Sequence, residues 1–139
     1  MRIGAGLLLL GLATASPAAI PKPEELLQIQ AKATPSADAR SATIRLDVHV
    51  AEGWHVNSHT PSEEYLIATT ATLDKAEGLS ISEPVYPPGK LKKFAFSEKP
   101  LSVYEGVFAV EIPVSWTGAP PWTKLALQMN RSPLCGRKK

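Results

Sequence analysis

The sequence predicts an all-β protein, an immunoglobulin-like antiparallel β-sandwich, from three observations. Apolar and polar residues alternate in period two along its longest segments, as in strands with one buried and one solvated face. Thirteen prolines and nine glycines divide the 139 residues into short segments. About seven candidate strands follow one another at spacings near ten residues, without a convincing amphipathic helix between them. Such a succession of short strands is typical of an immunoglobulin-like sandwich.

Residues 1–15 predict a cleavable signal peptide that precedes the fold. Arg2 comes before the apolar run IGAGLLLLGLA, and Ala13 and Ala15 are the small residues that a signal peptidase reads. The run is far shorter than the roughly 20 residues that cross a bilayer. We therefore expect export, a mature chain from near Ser16, and an N-terminal segment over residues 16–25.

The first candidate strand is LLQIQAKA, in which Leu27, Ile29 and Ala31 face one way, although PEELLQIQAK could begin as a helical turn. The turn TPSADAR then leads to ATIRLDVHV, and the longest run is VFAVEIPVSW. Both alternate strictly, so each predicts a half-buried strand. Pro113 in the longest run is expected on the outward face, at an edge or a bulge. Shorter candidate strands are YLIATTATL, LSISEPVY, LSVY and KLALQM.

The overall charge argues against a nucleic-acid-binding protein. The formal net charge is only +2, and the basic residues after Cys135 are too few to form a nucleic-acid footprint. Residues 136–139 are therefore interpreted as a solvated basic tail. The sequence also lacks the common hydrolase motifs and the phosphate-binding glycine loop.

Three histidines lie close together in HVAEGWHVNSHTP, and histidine is the commonest metal ligand. However, His49 precedes the turn at Glu52-Gly53, and nothing fixes His49, His55 and His59 on one side. We therefore expect histidines with ordinary hydrogen-bond partners around a loop, with no metal and no cofactor.

Two aromatic residues, Phe94 and Phe96, lie in the lysine-rich segment KLKKFAFSEKP before a candidate strand. Apolar rings on an exposed loop either pin the loop to the core or cover another group. Composition alone favours pinning.

The only cysteine, Cys135, lies in the basic segment LCGRKK. A lone cysteine is more often an inert small apolar residue than a nucleophile. Nearby cations lower the pKa of a thiol, however, and an odd cysteine in an exported protein is a candidate for reaction or for intermolecular pairing. Both interpretations stay open at this point.

Several segments in order, GWHVNS, YLIAT, YPPGK, VYEG and LALQMNRSPLC, resemble the N-terminal domain of the bacterial thiol:disulfide interchange protein (DsbD) family. The resemblance covers residues 26–135 and implies a periplasmic immunoglobulin-like domain. It also implies a cysteine pair that takes reducing equivalents from a membrane electron-relay partner and passes them to thioredoxin-like or other periplasmic thiol proteins.

The sequence departs from the family pattern at the cysteine pair, which is close to Y-Q-A-C-x-x-x-x-C-x-P-P. Gln128 matches the glutamine, Asn130 stands at the first cysteine position, and Cys135 falls on the second. The Pro-Pro is replaced by Arg137-Lys138, and the last strand that the family implies is missing. The resemblance further implies that Phe94 or Phe96 belongs to a cap loop, whose ring shields the cysteines from oxidants.

Three interpretations of this departure follow. The domain is a degenerate member that acts through a single thiol or binds thioredoxin-like partners, or a frame change after about Gln128 has altered its end. Alternatively, it is a non-redox β-sandwich that binds periplasmic partner proteins. We adopt periplasmic thiol–disulfide exchange with Cys135 as the sole redox residue. A relative of protein-disulfide reductases with one cysteine is expected to have little two-electron activity, because no resolving thiol is present.

Overall fold

The computed structural model describes residues 21–120, 127–130 and 135–136, so the predicted signal peptide lies outside the described part of the chain. One helical turn and ten strands follow in order. They are α1 (Pro23–Leu26), β1 (Leu27–Pro35), β2 (Ser41–Val50), β3 (Trp54–Asn57), β4 (Thr70–Leu73), β5 (Leu79–Ile81), β6 (Lys90–Lys92), β7 (Leu101–Tyr104), β8 (Val107–Trp116), β9 (Leu127–Asn130) and β10 (Cys135–Gly136).

The strands form two four-stranded sheets, in the orders β1-β2-β8-β5 and β10-β3-β7-β6, and a two-stranded sheet of β4 and β9. Every strand pair is antiparallel. The prediction of an all-β antiparallel sandwich is therefore confirmed. No helix among the described residues has the length and apolar character needed to span a membrane.

The core is built on the two longest strands, β2 and β8, whose side chains alternate between buried and exposed positions as predicted. Leu46 and Val48 of β2 lie opposite Val110 and Phe108 of β8. Leu46, Val48 and Val110 are fully buried. Each such aliphatic side chain contributes about 1.5–3 kcal/mol by leaving water. Because β2 and β8 lie side by side in one sheet, their strict alternation fixes which face of that sheet covers the core.

Strand β1 is less buried than its alternation of apolar and polar residues predicts. After the half-buried Leu27 all of its residues are exposed, and Ile29 keeps 41% of its surface in water. The register explains the difference, because Ile29 lies opposite Val48 and therefore extends the apolar face of β2. β1 is the outermost strand of its sheet and lies beyond the part of that face that the second layer covers.

Pro113 also differs in part from its predicted position. It is half-buried on the outward face of β8, but β8 is an inner strand that lies between β2 and β5. The carbonyl of Pro113 accepts a 2.9 Å hydrogen bond from the Ser82 amide, just beyond the end of β5 at Ile81. Because Pro113 has no N–H, this pair keeps one hydrogen bond instead of two, and the loss falls just beyond the end of β5.

Candidate functional site

The candidate site lies where β3, β10 and the 93–100 loop meet. This loop joins the antiparallel strands β6 and β7, and β7 pairs with β3 on the other side. On its opposite edge β3 pairs with β10, and that register places Cys135 opposite His55. The sequence therefore brings its only cysteine to the strand position beside a buried histidine.

His55 is buried beneath the two aromatic residues of the 93–100 loop. Its side chain is 5% exposed, and its ring stacks on Phe94 with the centroids 4.3 Å apart. Phe94 in turn stacks on Phe96 at 5.1 Å, and Phe96 is 66% exposed. The rings thus form a stack that runs from β3 to the surface. Phe94 thus fixes the loop to the sandwich and covers His55, whereas the shielding of the cysteine by Phe94 or Phe96 stays a prediction.

Short-range contacts hold the 93–100 loop in this position. The Phe94 carbonyl accepts a 3.2 Å hydrogen bond from the Ser97 amide. The Lys93 ammonium donates to the Glu98 carbonyl across the same turn. Lys99 forms a 3.3 Å ion pair with Glu63, outside the loop. These contacts are exposed, so each contributes little, and the ring stack is the main link between the loop and β3.

Charged residues surround the ring stack and affect the ionisation of His55. Burial lowers the pKa of His55 below its ordinary value of 6.5, the positive charge of Lys92 lowers it further, and Glu105 opposes both. Lys92 pairs with Glu105 and also lies 5.8 Å from the centroid of the Phe94 ring. The imidazole is therefore neutral at neutral pH. The residue opposite Cys135 in the register is therefore an uncharged, covered ring.

A second polar cluster fixes the opposite end of β3. The His59 ring stacks on Tyr86 at 3.7 Å, and its Nδ1 lies 3.1 Å from the Thr69 carbonyl oxygen. The Tyr104 hydroxyl accepts from the His59 amide and donates to the Pro87 carbonyl. These bonds tie β3 and β7 to the segment before β6. His59 therefore has the ordinary partners expected from the sequence.

The remaining histidine, His49, is exposed on β2. Within residues 21–120 and the described parts of β9 and β10, no three histidine, cysteine or acidic side chains are grouped so that they could hold a metal ion.

The other residues predicted for the site lie on a different strand. Gln128 and Asn130 belong to β9, where they are opposite Thr72 and Thr70 of β4. Their side chains lie outside the described part of the chain. Cys135 belongs to β10, which pairs in another sheet. The backbone thus brings Cys135, but not Asn130, into register with β3.

His55 is the site residue that sequence reasoning missed. The sequence marked it only as one of three clustered histidines. Its neighbours Val56 and Asn57 are buried as well, so the segment WHVN shows no alternation that would have identified a strand.

This chain is similar to known proteins in both its sequence and its fold. A family model described as "Thiol:disulfide interchange protein DsbD, N-terminal" matches residues 22–130, a range that stops short of Cys135. The crystal structure of the N-terminal periplasmic domain of ScsB from Proteus mirabilis shares the fold, with a TM-score of 0.58 and 19% sequence identity. That match covers 84% of this chain and 44% of the ScsB chain, so this chain spans less than half of that protein's solved length. No curated protein matches the sequence.

Proposed function

Because this chain belongs to the family of N-terminal domains of the thiol:disulfide interchange protein DsbD, we propose that it takes part in periplasmic thiol–disulfide exchange through Cys135. The observation that carries the proposal is the β3–β10 register, which sets Cys135 opposite a histidine covered by Phe94. This register supports Cys135 as the exchange residue, because it sets the lone cysteine opposite a covered histidine.

The chemistry that one thiol supports is a single exchange. The Cys135 thiolate attacks one sulfur of a partner's disulfide, forms a mixed disulfide, and releases the partner's other sulfur as a thiolate. The 139 residues contain no second cysteine to resolve that product. The mixed disulfide therefore persists until an external thiol attacks it, and net two-electron reduction by this chain alone is absent.

The proposed role of the aromatic residues is to control which disulfides reach Cys135. Phe94 lies directly on His55, and Phe96 forms the exposed end of the stack. A partner that displaces the 93–100 loop gains access to the end of β3, whereas a small oxidant meets the closed stack. The partners in this proposal are thioredoxin-like or other periplasmic thiol proteins, together with a membrane electron-relay protein.

The first test is the capture of a defined disulfide by the purified chain. The chain is incubated with oxidised glutathione and, separately, with an oxidised thioredoxin-like protein, then alkylated and analysed by non-reducing intact mass. We expect a mixed disulfide with each, and its loss in Cys135→Ser. If Cys135→Ser binds the thioredoxin-like protein as well as the unaltered chain does and neither forms an adduct, the chain is a binding module and not an exchange protein.

The proposed position of the missing cysteine has its own test. Asn130 stands where the family resemblance implies the first cysteine, so Asn130→Cys supplies a resolving thiol. We expect this variant to release the glutathione adduct with formation of an intramolecular disulfide, which removes two hydrogens from the mass. A matched Thr72→Cys variant, on the neighbouring strand β4, should leave the adduct in place.

A further inference from the structure

We propose that β1 is a self-complementary edge through which two copies of this chain pair antiparallel about Ala31. This interaction surface is independent of the thiol chemistry proposed above. The occupant is a second copy of the chain, which adds its own β1 and joins the two four-stranded sheets into one.

The length and composition of β1 set it apart from the other edges of the two main sheets. β1 has nine residues, whereas the other outermost strands, β5, β6 and β10, have three, three and two. β6 also carries Lys90 and Lys92, which are typical of edges protected against pairing. β1 carries a single charge, at Lys32, and among the described residues no strand pairs with its outer side.

The backbone hydrogen bonds show which groups of β1 point outward. The Leu26 carbonyl accepts from Ala51, and the Ser36 amide donates to Ser41, so the even-numbered positions face β2. In an antiparallel ladder the intervening residues then face the open edge. Their outward amides begin at Ile29, because the Leu27 amide already donates to the Pro23 carbonyl. They end at Ala33, since Pro35 has no N–H.

The open edge is therefore symmetric about Ala31. Three outward donors, those of Ile29, Ala31 and Ala33, lie between two positions that cannot donate. In an antiparallel pair centred on Ala31 all nine residues of each strand overlap. Ile29 pairs with Ala33 of the second copy and Ala31 pairs with its own equivalent. This register uses every outward donor and sets the two blocked positions, Leu27 and Pro35, opposite each other.

The side chains fit the same register. The exposed Ile29 extends the apolar face of the sheet and meets an alanine of the second copy instead of water. On the opposite face Lys32 lies across from Gln30 of the second copy. A shift of the centre to Lys32 would set two lysines directly opposite each other, and like charges at that position are unfavourable. Charge and overlap therefore select the same centre.

A cysteine placed at the centre tests this register directly. The variants Ala31→Cys and Ala33→Cys are compared in the Cys135→Ser background, so that each chain has one thiol at an exposed position of β1. At the centre the two Cα atoms are about 5.5 Å apart, within the range of a disulfide. The two Ala33 positions are separated by four residues along the strand, or about 13 Å. Under oxidised glutathione we expect a covalent dimer from Ala31→Cys and none from Ala33→Cys. Equal cross-linking of both variants, or none of either, would overturn the proposal.

Sedimentation velocity supplies a second measurement without a cross-link. Cys135→Ser alone should form a dimer as its concentration rises, and Ala31→Lys should weaken that dimer several-fold by placing two cations at the centre. Ser80→Lys adds the same charge to the edge strand β5 and should leave the dimer unchanged. A monomer at every concentration up to about 1 mM, or equal weakening by both lysines, would contradict pairing through β1.

Discussion

Removal of the Phe94 ring should expose the candidate site without unfolding the domain. The Phe94→Ala change deletes the middle member of the stack and so removes both ring pairs, with His55 and with Phe96. An aromatic pair contributes about 0.5–1.5 kcal/mol beyond its buried area. Phe96 belongs to the same loop and moves with Phe94, so only the pair with His55 favours the closed position, which loses about 0.5–1.5 kcal/mol without it. Since 1.4 kcal/mol is about tenfold, the open fraction of the loop rises about 2- to 12-fold.

The assay measures the access of a small reagent to Cys135 and the ionisation of His55. If the closed stack limits access, the alkylation rate of Cys135 by iodoacetamide rises by the same factor in Phe94→Ala. The pKa of His55, followed by NMR, should move upward toward 6.5 because burial is the largest cause of its lowering. Phe96→Ala is the matched control, since it removes only a ring pair within the loop and should leave the alkylation rate nearly unchanged.

One outcome would refute this reasoning. If Phe94→Ala raised the pKa of His55 but left the alkylation rate at the value of the unaltered chain, the loop would cover His55 without controlling access to Cys135. Urea unfolding of the same samples shows whether any rise in alkylation reflects global unfolding instead.

Three further predictions concern stability. Because the pKa of His55 is lowered in the folded domain, the unfolded chain binds a proton at this imidazole more readily. The free energy of unfolding should therefore fall as the pH drops from about 7 toward that lowered pKa. Urea titrations should show this slope in the unaltered chain and not in His55→Gln. Tyr104→Phe removes a hydroxyl that makes two hydrogen bonds, so it should lower the free energy of unfolding, measured with urea, by about 1–3 kcal/mol. A loss within error of zero would contradict these two hydrogen bonds. A Cβ at Gly89 would lie 2.1 Å from the Ser102 hydroxyl, so Gly89→Ala should cost about 1–3 kcal/mol, and Ser102→Ala should recover part of that loss if the clash is its cause.

The sequence was sufficient to predict the strands that have one buried and one solvent-exposed face. VFAVEIPVSW became β8 with the predicted ends, and ATIRLDVHV became most of β2. The same rule overestimated the burial of β1, because alternation shows which side chains share a face of the sheet but not whether a second layer covers that face. It also overestimated the length of the strand in YLIATTATL, because only Thr70–Leu73 forms a strand.

The candidate site was only partly visible in the sequence. Phe94 and Phe96 could be selected as aromatic residues in a polar loop, but their order in the stack depends on the turn that bonds Phe94 to Ser97. The partnership of His55 with Cys135 depends on strand pairing across a sequence separation of about eighty residues. No local pattern encodes such a long-range contact. The family resemblance indicated Cys135, and the register supplied the residue opposite it.

The attachment of the 93–100 loop has a consequence for the timing of any reaction at the site. Both ends of the loop begin from one hydrogen-bonded strand pair, in which Lys92 lies opposite Leu101. The 93–100 loop can therefore move away from β3 while this strand pair stays intact. The free-energy barrier to that motion is set by the ring stack and not by the core between β2 and β8. Loop motions of this kind occur in nanoseconds to microseconds, far faster than global unfolding of most small domains. Substitutions in the 93–100 loop should thus change how often the site opens without changing the lifetime of the folded domain.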